Sequence, residues 1–453
     1  MSQSNKSFSH RPKKVPSSRL ARLTTFGSLA AKVAGNVVLS GAKQLASGES
    51  PSLKRSLLQP RNIEQLASKL SELRGAVMKL GQLLSMDAGD LLPPELSQLL
   101  ATLRDNASAM PHKQLVAELK MAWGDNWLDG FSHFELSPFA SASIGQVHLA
   151  YLDSGEKVAV KVQYPGIAKA INSDVDNVAL LLKMSGLLPE HIQIDQLLAE
   201  AKKQLLAEAD YRLEASYIDL YRSQITSDCF VIPEVYPDYS QSEILVMSYL
   251  DGVAIDTIVN QPQATKNRVI RQLITLFFDE LFRFRLMQTD PNFANYLYQE
   301  ESDRVVLLDF GATREIPKDV STGYLKLITA GMKRDKSAMV EAAKAIGFFD
   351  DDISCDYLEQ ILDVLILACQ PLDVDGEYDF ANSGLAQKIK DKGLAINREK
   401  HQWHTPPVDA IFIHRKTAGL YLLAAKLNAQ VNVRQLFLPY AELGNSFNGS
   451  DAL

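Results

Sequence analysis

Asp290 is followed five positions on by Asn295, and fourteen residues after that by Asp309, inside Leu307-Leu308-Asp309-Phe310-Gly311. The stretch from 295 to 309 reads as two short strands, so an amide and a carboxylate bracket a strand pair. Both are hard oxygen donors, of the kind Mg²⁺ takes in small number when phosphates complete its shell. An isolated Asp-Phe-Gly is a weak signal. Its weight here comes from what precedes it in the chain.

Upstream, Val158-Ala159-Val160-Lys161 ends an apolar strand with a lysine. Alone, that lysine reads equally well as one that snorkels to the surface. Before it runs Pro138-Phe139-Ala140-Ser141-Ala142-Ser143-Ile144-Gly145-Gln146-Val147, a row of small residues between two strands. Small side chains let backbone N–H groups approach a polyanion closely; the plainer reading is a tight hairpin turn. In protein kinases the same parts occur in the same order: a phosphate-covering loop, a strand lysine, an Asp with an Asn five positions on, and a later Asp-Phe-Gly.

The remaining kinase part is a helix glutamate that holds the lysine. Residues 205–216, LLAEADYRLEAS, offer Glu208, Asp210 and Glu214. At 100° per residue Asp210 and Glu214 lie near one face, with Glu208 about 120° from Glu214. One helix would then address two cations; otherwise this is a solvated acidic face. The second cation is expected at Lys79, in Lys79-Leu80-Gly81-Gln82, where Lys79 and Gln82 share a helical face. Gly81 costs about 1 kcal/mol relative to Ala inside a helix, which points to a close backbone approach. Taken alone, the pair is an ordinary exposed Lys and Gln.

Of 453 residues, 46% are apolar and 22% charged, the balance of a globular protein of about three domains. That excludes a mostly disordered chain, a collagen and a polytopic membrane protein. No uncharged apolar run approaches the roughly 18 residues of a spanning helix. Cys229, Cys355 and Cys369 form no CxxC pair and point to a reducing compartment. Charge is uneven: residues 1–48 hold eight Lys or Arg and no acid, and the remaining chain carries 39 bases against 54 acids. The acidic remainder argues against a nucleic-acid partner. The leader mixes small and apolar residues with spaced bases over 20–47. It reads as a solvated tail, an organelle transit segment, or an anchor for an anionic membrane surface.

Residues 1–50 are thus a basic amphipathic leader and 51–130 a helical extension, with helices expected at 62–86, 95–104 and 112–123. Residues 131–250 read as a small sheet with an embedded helix. Strands are expected within 134–150, at 157–163, 230–236 and 243–249, a turn at Asp153-Ser154-Gly155, and helices at 171–184 and 194–221. Residues 251–453 read as a largely helical lobe. The fold class is α+β.

With these segments side by side, the sequence resembles the UbiB (AarF-domain) atypical kinase-like family, found in mitochondria as coenzyme Q biosynthesis proteins. The resemblance covers about residues 60–440. It rests on KLGQ at 79–82, ASASIGQVH at 140–148, VAVKVQYPG at 158–166, EADYRLEA at 208–215 and LLDFGATRE at 307–315. MQTDPNFANYLY at 287–298 is similar to the coenzyme Q branch, where the widespread bacterial form reads HADPHPGN. The resemblance implies an atypical protein-kinase-like two-lobed fold with an N-terminal helical extension. Lys161 would contact the α- and β-phosphates of ATP or ADP, with Glu214 pairing with it. Asp290 would take the catalytic-base position, and Asn295 and Asp309 would hold Mg²⁺. Ala140, Ser141, Ala142 and Ser143 would replace the Gly-rich lid; Ser141 interrupts the usual alanine run. Met247, Ser248, Tyr249 and Leu250 would form the hinge that offers backbone groups to adenine. Lys79 and Gln82 would fold over the site as a regulatory element, Lys79 facing Glu208 and Asp210.

Three features weigh against an ordinary protein kinase. Asn292 stands where a lysine normally follows the catalytic Asp by two residues. No Ala-Pro-Glu follows Gly311, and only about ten residues separate Gly311 from a helix expected near Ser321. The expected function is therefore a Mg-ATP-binding ATPase, or a small-molecule or lipid kinase, supporting ubiquinone biosynthesis. The alternatives are a nucleotide-binding scaffold without turnover and a true protein kinase. Expected partners are nucleotide, an anionic membrane surface or quinone-pathway lipid, and other ubiquinone biosynthesis proteins. The expected location is cytoplasmic and peripheral on the inner membrane, or mitochondrial.

Overall fold

The computed structural model describes Thr24 and residues 109–142, 144–185, 194–349, 353–398 and 407–450. The basic leader, the extension through residue 108 with Lys79 and Gln82, and Ser143 lie outside the described residues. The chain divides into two units. One comprises residues up to Asp219 with Pro233–Tyr249; the other comprises Leu220–Ile232 with Leu250–Leu453.

The first unit is built on an antiparallel sheet of β1 (Phe131–Phe134), β2 (Ala140–Ser141), β3 (Gly145–Leu152), β4 (Lys157–Gln163) and β6 (Ile244–Ser248). Its order is β1-β3-β4-β6, with β2 paired to β3. The expected turn joins β3 to β4: Gly155 takes φ 99°, a conformation open to glycine at no steric cost, and its N–H closes on the Leu152 carbonyl at 2.9 Å. Alternation puts Val158, Val160 and Val162 of β4 on one face. There they share a core with Phe131, Phe134, Ile244, Val246 and, from α1 (His112–Trp123), Leu115 and Leu119. Gln146 ties the entry of α1 to the sheet, its Oε1 accepting the Met110 N–H at 2.9 Å. Further on come α2 (Ile167–Ser185), α3 (Ile194–Glu208) and α4 (Tyr211–Gln224).

Three expectations are corrected here. The periodicity over 194–221 predicts one helix, but the chain breaks at Ala209-Asp210. There Gln163 Nε2 donates to the Ala209 carbonyl at 2.7 Å, and the Tyr211 N–H goes to Ser242 O at 3.1 Å. Tertiary hydrogen bonds thus outcompete the i→i−4 ladder. The strand expected over 230–236 shrinks to β5 (Phe230–Val231), with Val235 bridging Met247 alone; Pro233 supplies no ladder donor. The helix after Gly311 starts at Lys318, not near Ser321.

The second unit carries a sheet of order β5-β10-β9-β7, formed with β7 (Val253–Ala254), β9 (Tyr296–Gln299) and β10 (Arg304–Leu307). A two-stranded ribbon pairs β8 (Leu286–Gln288) with β11 (Thr313–Glu315). Helix α5 (Gln263–Phe278) buries Val269, Ile270, Leu273, Ile274, Phe277 and Phe278. It ends in a wide π turn over Asp279–Phe284, and Arg285 at φ 50° reverses the chain into β8. Then follow α6 (Lys318–Met332), α7 (Lys336–Ile346), α8 (Cys355–Ala368), α9 (Gln370–Asp373), β12 (Tyr378–Asp379), α10 (Leu385–Arg398), α11 (Val408–Lys426), β13 (Gln430–Val431) and α12 (Val433–Ser450). Phe437 and Tyr440 of α12 pack on Phe278 with ring centroids 5.4 and 5.5 Å away. Among the described residues no helix is long and apolar enough to cross a membrane.

Each unit also buries a neutral histidine. His148 lies between Gln146 Nε2 at 2.7 Å and the Glu135 carbonyl at 2.8 Å. His414 stacks on Phe348 and meets the Tyr324 hydroxyl at 3.0 Å. Burial lowers both rings from the ordinary value near 6.5 to about 4. A group with a depressed folded pKa gives stability that is full above its unfolded value and is lost as pH falls through the folded one. Acidification from pH 6.5 to 4 should therefore cost about 3 kcal/mol per ring, each in its own unit. Urea unfolding across that range tests this: His148→Gln and His414→Gln should each flatten the pH slope.

Candidate functional site

In the first unit Lys161 sits on the central strand β4, opposite Val147 on one side and Leu245 on the other. Its ammonium meets both carboxylate oxygens of Glu214, at 2.8 and 2.9 Å, and lies 5.1 Å from the Tyr211 ring centroid. Lys161 and Glu214 side chains are only 7% and 1% exposed, so this pair is no surface salt bridge. A pair in that setting survives only with good geometry, and removing one partner typically costs about 3–5 kcal/mol. The structure thus brings together Lys161 and Glu214, two of the residues singled out in the sequence.

Asp210 and Glu214 do not lie on one continuous helix with Glu208, because the chain breaks at Ala209-Asp210. Glu208 closes α3, buried, accepting from Gln204 Nε2 at 3.1 Å. Asp210 is exposed at the break, where its Oδ1 accepts the Arg212 N–H at 3.1 Å and caps α4.

The small-residue run is a hairpin: Ala140 pairs with Val147 and Ser141 with Gln146, and the Ala142 N–H reaches the Gly145 carbonyl at 3.0 Å. Phe139 at its base meets Tyr249 edge-on at 5.7 Å, and Lys157 covers the same Tyr249 ring at 3.8 Å. The expected hinge continues β6, since Met247 and Ser248 still pair with Ala159 and Val158. The Ser248 N–H goes to Glu234 O at 2.8 Å and the Tyr249 N–H to Lys157 O at 3.0 Å. Those two amides are engaged within the protein; Leu250 opens the second unit.

In the second unit Asp290 follows β8 directly. Thr289, fully buried, anchors the approach by donating from Oγ1 to the Ala312 carbonyl at 2.7 Å. Asp290 is half-buried and its Oδ1 accepts the Asn292 N–H at 3.2 Å. Asn292, in the place of the usual lysine, caps the next turn by accepting the Ala294 N–H at 3.1 Å. The hairpin of β9 and β10 brings Asn295 back beside the Asp-Phe-Gly segment: Leu308 N–H donates to the Asn295 carbonyl at 2.8 Å. Asp309 stands at φ 56°, with its Oδ1 accepting the Gly311 N–H at 3.3 Å. Phe310 is buried against Tyr221, centroids 4.8 Å apart.

Four residues that the sequence reading left aside frame this segment. Glu280 and Lys416, 1% and 4% exposed, form an ion pair at 3.2 Å. Tyr221 donates to Glu280 Oε1 at 2.7 Å and accepts the Gln288 N–H at 2.7 Å. Lys416 donates to the Gln288 carbonyl at 2.8 Å and to its Oε1 at 3.1 Å, and Gln288 Nε2 reaches the Asp309 carbonyl at 3.2 Å. Burial pushes the Glu280 carboxyl up. Burial pulls Lys416 down, but the charge of Glu280 and the Tyr296 hydroxyl outweigh it and hold the ammonium protonated. The available sequence signal was an acid inside Phe277-Phe278-Asp279-Glu280-Leu281-Phe282 and a base inside the apolar α11.

The donor set for a metal is two-membered. Asn295 is buried, and its Nδ2 has no hydrogen-bond partner among the described residues. The side-chain oxygens of Asn295 and Asp309 are hard donors that could hold Mg²⁺, with the other ligands coming from phosphates and water. Among the described residues no group of three His, Cys, Asp or Glu side chains could hold a metal by itself.

The ABC1 atypical kinase-like domain matches residues 102–343. The chain belongs to that family. It is 36% identical over 427 residues to atypical kinase COQ8, mitochondrial, of Saccharomyces cerevisiae, covering 93% of this chain and 85% of that one. It is 35% identical over 430 residues to atypical kinase COQ8B, mitochondrial, of Rattus norvegicus, covering 94% and 81%. A solved complex of Rv3197 with erythromycin from Mycobacterium tuberculosis shares the fold, with a TM-score of 0.58 at 24% identity over 83% of this chain and 94% of that chain. Family membership accounts for the α+β, atypical kinase-like architecture.

Gly145 of the family-like ASASIGQVH run is a packing requirement. A Cβ there would lie 2.3 Å from the Val162 carbonyl oxygen and 2.9 Å from the Tyr211 hydroxyl. Gly145→Ala should lower stability by about 1–3 kcal/mol through overpacking beside Lys161. Thermal unfolding checks this against Gly376→Ala, where a Cβ meets nothing within 4 Å and the melting temperature should hold.

Proposed function

We propose that this protein binds Mg-nucleotide and hydrolyses ATP, or transfers its phosphoryl group to a small molecule or lipid, in support of ubiquinone biosynthesis. The observation that carries the reading is the buried bidentate Lys161–Glu214 pair at the centre of a five-stranded sheet. That pair keeps an ammonium charged and oriented in a dry interior, which suits a group that contacts phosphate oxygens. Asn295 and Asp309 are the residues to hold Mg²⁺, which when bound would neutralise charge on the phosphates. Asp290 is the group placed to accept a proton from water or an acceptor hydroxyl. Ala140–Ser143 cover the phosphates, and the 247–250 stretch receives adenine.

Two observations favour small acceptors over proteins. Asn292 turns its side chain back onto the Ala294 N–H and so supplies no cation. After Gly311 the chain enters β11 at Thr313 and α6 at Lys318, which leaves no length for a peptide-binding segment. The pathway assignment rests on likeness to the COQ8 proteins. Lys79 and Gln82 are assigned a regulatory role, with Lys79 as the partner of Glu208 and Asp210. The eight bases before Glu49 make the leader the electrostatic handle for peripheral attachment to the anionic face of an inner membrane, bacterial or mitochondrial.

ADP release from the purified full-length chain, with and without Mg²⁺, tests turnover. Asp309→Asn should abolish Mg-dependent nucleotide binding, measured by calorimetry, and Asp290→Asn should keep binding while losing at least about 100-fold in turnover. Binding by the wild type with no ADP release would leave a nucleotide-binding scaffold instead. Unchanged affinity in Asp309→Asn would remove the metal assignment. A normal quinone pool in a strain lacking the gene would remove the pathway.

A further inference from the structure

We propose that helix α11 is a positioning device for the reaction segment, in which Lys416 sets Asp290 against Asp309 through the backbone of Gln288. The proposal rests on the reading of Asp290 and Asp309 given above. It is carried by two separate contacts on one helix. Lys416 and Gly419 are three residues apart and so share a face. The Lys416 ammonium holds the Gln288 carbonyl at 2.8 Å, two residues before Asp290. Gly419 lies against Pro291, one residue after it: a Cβ at Gly419 would stand 2.5 Å from Pro291 Cβ. Asp290 is therefore bracketed on both sides by contacts from the same helix.

The bracket extends to the metal segment through Gln288 itself. Its side chain accepts from Lys416 at 3.1 Å and from the Tyr296 hydroxyl at 3.2 Å, and donates to the Asp309 carbonyl at 3.2 Å. One amide thus couples the strand before the base, the hairpin that begins at Asn295, and the Asp-Phe-Gly backbone. Glu280 fixes the charge of the lysine, and Tyr221 locks Glu280 and the Gln288 N–H together. A core that needed only filling would be served better by apolar side chains, since a buried ion pair is often neutral or worse for stability than a hydrophobic replacement. What the ions provide is direction: an ammonium specifies where three acceptors lie, which a methyl group does not. Lys416 touches neither base nor metal ligand side chain, so it acts through Gln288.

The test uses the full-length chain as wild type, Lys416→Met with Glu280→Gln, and Gly419→Ala. The double variant removes both buried charges together, and Gln at 280 keeps an acceptor for Tyr221, so it should fold with a melting temperature near wild type. Without nucleotide, amide exchange over 286–295 and 308–313 should quicken at least tenfold while the helices of the same unit hold their protection. With Mg-ATP, kcat per folded molecule should fall at least tenfold with KM changed less than threefold. Gly419→Ala keeps every charge and should show the same kcat-only loss, at least threefold, if the double variant does not fold. Wild-type kcat and wild-type exchange in the variants would overturn the proposal and reduce the ion pair to packing. A wild type that binds no Mg-nucleotide would overturn the proposed function instead, and the exchange comparison would still decide the positioning.

Discussion

A charge in a dry interior must be met by an opposite charge and by hydrogen bonds that use up its remaining donors. Among the described residues, each unit buries a lysine that is paired with a glutamate. In the first, Lys161 on β4 is answered by Glu214 on α4. In the second, Lys416 on α11 is answered by Glu280 in the π turn after α5. Breaking either pair by removing one partner is worth about 3–5 kcal/mol, a large share of the 5–15 kcal/mol that holds an ordinary domain together. The elements that carry these four side chains are therefore fixed relative to their own sheets more firmly than their apolar contacts alone would require.

The two pairs differ in what they are saturated with. Lys161 has both carboxylate oxygens of Glu214 at hydrogen-bonding distance and an aromatic face nearby. Lys416 spends its donors chiefly on an amide residue, and the anion supports it from the side. The first geometry holds a charge in place. The second uses a charge to hold a loop in place. The π turn matters for this: it places Glu280 on the inside of a helix end whose next residues must reverse through Arg285 into β8.

Much of this was legible in the chain. The turn at Gly155, the α1 helix over 112–123 and the two strands between 295 and 309 follow from local pattern, and the pairing of Lys161 with Glu214 was implied only by the family resemblance. What could not be read were places where distant segments decide local structure. Nothing in LLAEADYRLEAS announces that Gln163 and Ser242, 46 and 31 residues from the nearer bonded atoms, will take the backbone groups that a continuous helix would have used. The same holds for Lys416, whose partners lie 136 and 128 residues away. Periodicity reports what a segment can do by itself; it is silent on a carbonyl that a remote amide will claim.

Asp309 sits in the left-handed region at φ 56°. Only Gly, Asn and Asp occupy that region at low cost. Two of those three lack the carboxylate, and each is one base change away from an aspartate codon. The backbone at this point therefore filters substitutions by shape and not by charge. Gly and Asn are the replacements this backbone accepts, and both remove the negative charge, while most others strain the turn. On the proposed reading of Asp309 as a metal ligand, that charge can be lost in one step from a protein that still folds. A folded protein without the carboxylate is thus the expected product of a single base change at this backbone site.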